Sequence, residues 1–483
     1  MFVSKNGRVQ VLAEAQIPGS LVKLLLGEGG GDQLGKTICA TSIGGRYTAL
    51  AHAARFMLLE IPRDGKSEYR LVSVGSDAAT DGEAITALYC MDIYTPAHKS
   101  SPAVCVIAGY SSGYMRVFSA HGHLLTAHQF HPQRLQCIRL RTPAQANSEQ
   151  SAHKLQYSSC ADPRAASDDS EEVNLTYRDG TLVSIDGRSL YLALRLCLEE
   201  AAIDEGPTFQ YKKWAFDLGT PRVSDAAACG PPLWRDPLAQ LVRGAHASSA
   251  QLADATARFL VAPQNGDAAF GVFTTSEDAA ATFSAVDIAG KMAARVTGAV
   301  LSMARSYLWR GGSGELSGQA SPGRTEPSTM VSCALAVRDS PRKVLHIALA
   351  PAQYALAALT DSLGRVLLLD LDSCEVVHML KGVRGCQCAW LESTCDGRRC
   401  LLVAVYTARR GVLEIYEPGA MQPLDSVNVG AGWTLVQCPT QPLGGSLVVG
   451  PAGHERRAAL PAPAACVLLG HDGRIALITV DER

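Results

Sequence analysis

Seven times along the chain a short β-rich run, a tight polar turn and a second β-rich run follow one another. The units cover residues 47–61, 104–125, 174–185, 259–274, 356–371, 401–416 and 466–480. In six of the seven a Gly sits in or near the turn, where hairpin geometry calls for a positive φ. At Gly364, Gly411 and Gly473 aliphatic and β-branched residues resume within two positions of the turn. Repeated hairpins without long alternating helices build antiparallel sheet, not βαβ units. The recurrence predicts an all-β chain: a seven-bladed β-propeller-like, WD-repeat-like fold in which each hairpin forms the inner part of a blade. A sandwich or a pair of barrels is the competing arrangement.

A length of 483 residues gives a loose prior of about three domains. Divided among seven hairpins it leaves roughly 70 residues per unit, against roughly 40–45 for a compact blade. The excess falls in loops and helices. Residues 143–172 and 311–328 are rich in Ser, Gly, Asp, Gln and Pro and read as flexible surface loops. Residues 189–203 read as a helix that begins after Ser189 and ends before Gly206. Residues 284–309 read as a longer one. At helical pitch Val286, Ala289, Met292, Val296, Val300, Met303 and Tyr307 share an arc of about 120°, with Lys291, Arg295 and Arg305 opposite. Such a basic amphipathic helix packs its apolar face on the domain or, in the sharper reading, makes a peripheral membrane contact. The expected organisation is an N-terminal segment, 1–36, contributing a closing strand, and one propeller domain over 37–483.

Charge narrows the function. Lys plus Arg number 44 and Asp plus Glu 46, a formal net charge of −2, which argues against a chain built to wrap nucleic acid. Residues 1–10 lack the apolar core of a signal peptide, and no apolar run approaches the length of a membrane span. The 15 Cys are an odd number and scattered, with one CxC at Cys386 and Cys388 and no CxxC pair. That pattern favours a reducing, cytoplasmic setting over a disulfide or zinc scaffold.

Several motifs suggest chemistry. Residues 30–37, GGDQLGKT, have the spacing of a phosphate-binding loop, with Lys36 and Thr37 as its reactive end and Asp370 of VLLLD as a possible metal carboxylate. A phosphate loop needs a helix directly after it. Here TICATSIGG follows, β-branched and soon interrupted by Gly44 and Gly45. A P-loop NTPase is therefore the alternative and not the main reading. Residues 109–113, GYSSG, match a nucleophile elbow, but a strand-like run follows instead of a helix. His121, His123, His128 and His131 crowd one stretch without an acidic or Cys neighbour in sequence and read as solvated or packed histidines. No catalytic, cofactor or metal site is expected. For partner binding the candidates are Arg409 and Arg410, two cations at a hairpin turn, and Tyr211, Lys212, Lys213 and Trp214, which mix basic and aromatic character.

These segments resemble the N-terminal domain of the non-catalytic (regulatory) subunit of the Rab-three GTPase-activating protein complex. Residues 344–382 carry the strongest likeness: LHIALAP, LAALTDSLGRVLLLDL and MLKG, followed by Trp390. ARRGVLE at 408–414 is similar to the family's PRRGILE, and Asn428, Val429 and Gly430 match its Asn-Val-Gly. Upstream, 109–125, Ile185-Asp186-Gly187 with Ser189 and Leu190, YKKW at 211–214 and the 286–309 stretch correspond in order. On this alignment residues 36–42 fall on the first strand of the domain. Departures occur where Leu349-Ala350-Pro351 lacks the family's Ser and where Val383-Arg384-Gly385 replaces Tyr-Arg-Asp. The resemblance implies a cytoplasmic scaffold, at endoplasmic reticulum or vesicle membranes, that binds a catalytic subunit. That partner would supply the GTPase-stimulating arginine, so a Rab GTPase is met indirectly. The complex would activate Rab-three hydrolysis and act as an exchange factor for Rab-eighteen in vesicle traffic.

Overall fold

A computed structural model describes residues 3–4, 9–27, 31–61, 69–76, 82–94, 102–142, 171–199, 212–231, 257–275, 328–395, 398–444 and 461–480. The strands form seven antiparallel sheets, and neighbouring sheets touch through their first strands in a closed ring. The fold is a seven-bladed β-propeller. Numbered along the chain, the blades begin with inner strands Ile38–Thr41, Ile85–Ile93, Leu135–Arg141, Val223–Ala228, Val344–Leu349, Cys386–Cys395 and Trp433–Gln437. Blades 3 and 6 each carry a fifth, two-residue strand at the rim, Thr329–Met330 and Val3–Ser4. The ring closes in blade 7, where Val9–Gln16 pairs as the outer strand with Arg474–Val480. Asp425 of blade 6 fixes that strand by accepting a hydrogen bond from the Val9 backbone N–H at 2.9 Å.

The hairpins legible in the sequence are the second and third strands of each blade, not its inner part. The reason lies in burial. A middle strand is covered on both sides by adjacent blades, so Ala103–Tyr110, Leu356–Asp361 and Arg365–Asp370 are almost wholly buried and read as continuous apolar runs. The first strand borders the central channel and the fourth the rim. Leu135–Arg141 is accordingly buried only at Leu135 and Ile138, and Glu375–Lys381 is exposed or half-buried throughout, so both give a weaker signal.

There is no single core. Seven apolar clusters lie between neighbouring blades, one at each of the seven junctions. Polar side chains bridge these junctions. Trp390 of blade 6, wholly buried, donates its indole N–H to the Ala348 carbonyl of blade 5 at 2.9 Å. Gln387 of blade 6 accepts the Leu435 N–H of blade 7, and Gln437 of blade 7 accepts the Trp390 N–H, both at 2.5 Å.

Two α-helices occur among the described residues. Gly187–Glu199 starts two positions before Ser189, because Asp186 and not Ser189 is its cap: the Asp186 carboxylate accepts the Ser189 N–H at 2.9 Å. Its buried face, Leu190, Tyr191, Ala193 and Leu194, seals the junction of blades 2 and 3. The other helix, Gly19–Leu26, lies between Pro18 and a positive-φ Gly27 and was not foreseen. The 284–309 helix and nearly all of the loops 143–172 and 311–328 lie outside the described residues.

Candidate functional site

The ring presents two faces. On one, here the turn face, lie the turns between second and third strands and the connections from blade to blade. On the opposite loop face lie the connections between first and second and between third and fourth strands. The turn at residues 408–411 puts Arg409 and Arg410 on the turn face of blade 6. Both are exposed, and Arg410 stands 3.9 Å from Glu414. Lys212, Lys213 and Trp214 begin the fourth strand of blade 3 and so lie at the loop face, across the ring. The structure does not bring the two candidates together. Tyr211 lies outside the described residues.

The lysine–tryptophan segment is largely engaged by its own blade. Lys212 is exposed, while its backbone N–H donates to the Ser189 hydroxyl at 3.2 Å and its carbonyl accepts from Asp186 at 2.8 Å. Lys213 holds its ammonium 5.0 Å from the Phe130 ring centre. Trp214 packs, half-buried, on the cluster between blades 3 and 4. Of this segment Lys212 is the side chain best placed to meet a partner.

The motif residues resolve into structural roles. Lys36 ends a 3-10 turn, Gly31–Lys36, and the first strand begins only at Ile38, so the GKT sequence is not strand. Thr37 closes that turn, its hydroxyl donating to the Leu34 carbonyl at 2.7 Å, and is the one residue between the turn and the strand. Lys36 therefore stands at the turn face of blade 1. Asp370 ends the third strand of blade 5 at the loop face and accepts the backbone N–H groups of Asp372 and Ser373. The two cannot act on one phosphate. Ser111, Ser112 and Gly113 form a hairpin turn, and Ser112 donates to Glu83. His121 and His123 are exposed at a turn. Burial, with the Lys213 ammonium nearby, pushes the half-buried His128 down to about 4. His131 meets Asp179 at 2.6 Å, a partner far away in sequence that ties a blade connection to the next hairpin turn.

A cavity of about 280 Å³ opens at the loop-face end of the central channel, and Arg139, Arg141, Arg258, His346 and Asp372 are among its lining. Its cations are engaged. Arg139 of blade 3 contacts Asp225 of blade 4 through both terminal nitrogens, at 2.5 and 2.8 Å, and donates to the Ile347 carbonyl of blade 5 at 2.7 Å. Asp225 accepts the Ile347 N–H in return, also at 2.7 Å. Burial opposes the Asp225 charge, but Arg139 outweighs it and holds the carboxyl below its ordinary range. Arg258 is 2% exposed and donates to the carbonyls of Gly230, Pro231 and Leu371, with the Asp372 carboxylate 4.0 Å away. These arginines join blades 3, 4 and 5, and nothing in their local sequence marks them. For Arg258 the usable signal is positional: a charged residue inside a strand that is otherwise almost wholly buried.

A family match and one named relative agree with the sequence resemblance. In Caenorhabditis elegans, a protein named Rab3 GTPase-activating protein regulatory subunit is 36% identical over 59 residues, which is 12% of this chain and 4% of that protein. The match thus spans a small part of that relative's length. Among solved structures, Sqt1 of Saccharomyces cerevisiae superposes with a TM-score of 0.40 at 10% identity, covering 92% of this chain and 83% of that one. The family match is much broader than the 59-residue one: residues 34–436, which take in all or part of every blade, match the Rab3 GTPase-activating protein regulatory subunit N-terminus, and the chain belongs to that family.

Proposed function

We propose that this propeller is a non-catalytic scaffold that binds the catalytic subunit of a Rab GTPase-activating complex and modulates its activity. The family match over residues 34–436 carries this reading. Seven separate inter-blade clusters make the ring rigid and leave both faces to display turns and loops, which suits a docking platform. In this reading the arginine that completes the GTPase site comes from the partner, the Rab is contacted indirectly, and exchange on a Rab is a second output of the same assembly. Its setting is the cytoplasmic side of endoplasmic reticulum or vesicle membranes.

Co-expression with the catalytic subunit of the same organism tests the reading. The two chains should elute together, and single-turnover GTP hydrolysis by the Rab should change when the propeller is added. Two folded chains that elute apart, with hydrolysis unchanged, refute it. Arg409→Glu with Arg410→Glu, compared with Lys212→Glu, reports which face carries the contact.

A further inference from the structure

The net charge of −2 conceals a cationic face. On the turn face Arg134, Arg178 and Arg222 form a row. The Arg178 N–H donates to the Arg134 carbonyl at 3.0 Å, and the Val223 N–H, next to Arg222, donates to the Arg178 carbonyl at 3.1 Å. All three side chains are exposed, and none has an ion pair among the described residues. Farther around the same face stand Arg338, Lys381 and Arg384, also exposed, followed by Arg409 and Arg410.

The acids of this face are mostly consumed within the fold. Asp339 is held by Arg365 at 2.5 Å, Asp472 by Arg474 at 2.6 Å, and Glu83 by Arg116 at 2.8 Å, while Asp179 is hydrogen-bonded to His131 at 2.6 Å. Asp361 is held by Arg365 as well. Asp267 is exposed at the blade 4 turn. The outward charge of the face is therefore positive and spread over several blades, not gathered in one cleft.

Shape and chemistry select the partner. The hairpin turns on this face are two to four residues long and tied to neighbouring connections, so their tips are short and fixed. A protein interface is gripped at buried aromatic or aliphatic anchors. Among the exposed large apolar side chains of the described residues, Leu363 alone sits at one of these turn tips. A broad, arginine-rich face with a single apolar tip suits a broad layer of phosphate and carboxylate groups, because the guanidinium fork matches phosphate oxygens. We propose that the turn face docks on an anionic lipid surface, with the Arg134–Arg178–Arg222 row as its principal contact. Bound this way, the ring leaves its loop face, with Lys212, the helix Gly187–Glu199 and the channel cavity, directed away from the membrane.

Vesicle sedimentation of the 483-residue chain tests this. Vesicles of phosphatidylcholine with one third phosphatidylserine should retain the protein, and phosphatidylcholine alone should not. Retention should fall steeply with added salt. Arg134→Gln/Arg178→Gln/Arg222→Gln should lower partitioning roughly a hundredfold, at about fivefold for each cation removed. Arg409→Gln/Arg410→Gln, on another blade, should lower it roughly tenfold or more. Arg188 is exposed in the first turn of the helix Gly187–Glu199, and Arg188→Gln/Lys212→Gln on the loop face should leave partitioning unchanged. Circular dichroism confirms that each variant is folded. No retention of the wild type, equal retention of the triple variant, or an equal loss from the loop-face variant overturns the proposal. So does retention on immobilised polyglutamate without retention on vesicles, which would assign the face to an acidic protein. The outcome is independent of whether a catalytic subunit co-elutes.

Discussion

The hairpin turns offer a quantitative test of how the blades are held. At six of the seven turns a Gly has positive φ: Gly113, Gly180, Gly266, Gly364, Gly411 and Gly473. Gly113→Ala adds a Cβ to a residue at φ 87°. The left-handed conformation costs about 1–2 kcal/mol, and the stiffer unfolded chain returns about 0.4–1 kcal/mol of that. The new Cβ would also overlap the His131 carbonyl oxygen and lie 2.7 Å from that of Gln133. Both are backbone atoms, so the connection between blades 2 and 3 must shift. That connection carries His131, whose 2.6 Å contact with Asp179 is worth about 1.5–3 kcal/mol when the acceptor is charged. Together these put the cost at about 2–4 kcal/mol. Gly473→Ala meets only the tip of the Gln16 side chain, at 3.1 Å, which can swing away, so it should cost about 1 kcal/mol or less. The seventh turn runs the comparison in reverse. Ala53 already holds φ 51°, and Ala53→Gly should gain about 0.5–1 kcal/mol. Urea unfolding at constant m-value measures all three. The reasoning fails if Gly113→Ala costs no more than Gly473→Ala, or if Ala53→Gly destabilises.

Three further outcomes follow from buried charge and from ring closure. Burial pushes the Asp92 carboxyl up to about 6, although the Ile43 N–H donates to it. The folded protein therefore holds a proton that the unfolded chain releases near pH 4, and stability falls between about pH 4 and 6; Asp92→Asn should remove that fall and gain about 2–3 kcal/mol at pH 7, as read from melts across pH. Asp225→Ala strands Arg139 without its carboxylate and should cost about 3–5 kcal/mol, whereas replacing both residues with apolar ones should cost less, a double-mutant cycle that a merely additive result would contradict. Deleting residues 1–16 strips Val9–Gln16 from blade 7 and bares the edge of Arg474–Val480; the truncated chain should lose more than about 3 kcal/mol and aggregate, and a monomeric product with an unchanged Tm would show that closure is not needed.

Much of the architecture was legible because a propeller repeats its most apolar element. Each middle hairpin is buried on both sides, so its sequence carries long apolar runs with a Gly between them, and seven such runs appear. Only the turn at Ala53 breaks the Gly rule, and it does so by accepting a strained φ. The inner and outer strands were harder to read, since each has one wetter side. Helix boundaries moved by two residues where the cap proved to be Asp186, an acid that ends a strand as well as starting a helix.

The candidate surfaces were legible only as residue types. Arg409 and Arg410 announce a cationic turn, and YKKW announces a mixed segment, but neither says which face it occupies. That depends on the direction of each strand around a ring closed by residues 9–16, hundreds of positions from their partners at 474–480. The same long-range geometry places Asp225 beside Arg139 and aligns Arg134, Arg178 and Arg222. By itself, then, the sequence determined the repeating unit, its number and its family, because local burial and turn chemistry are written in neighbouring residues. The tertiary structure decided which charges neutralise one another and which remain facing outward, because charge pairing acts through space between blades and not along the chain.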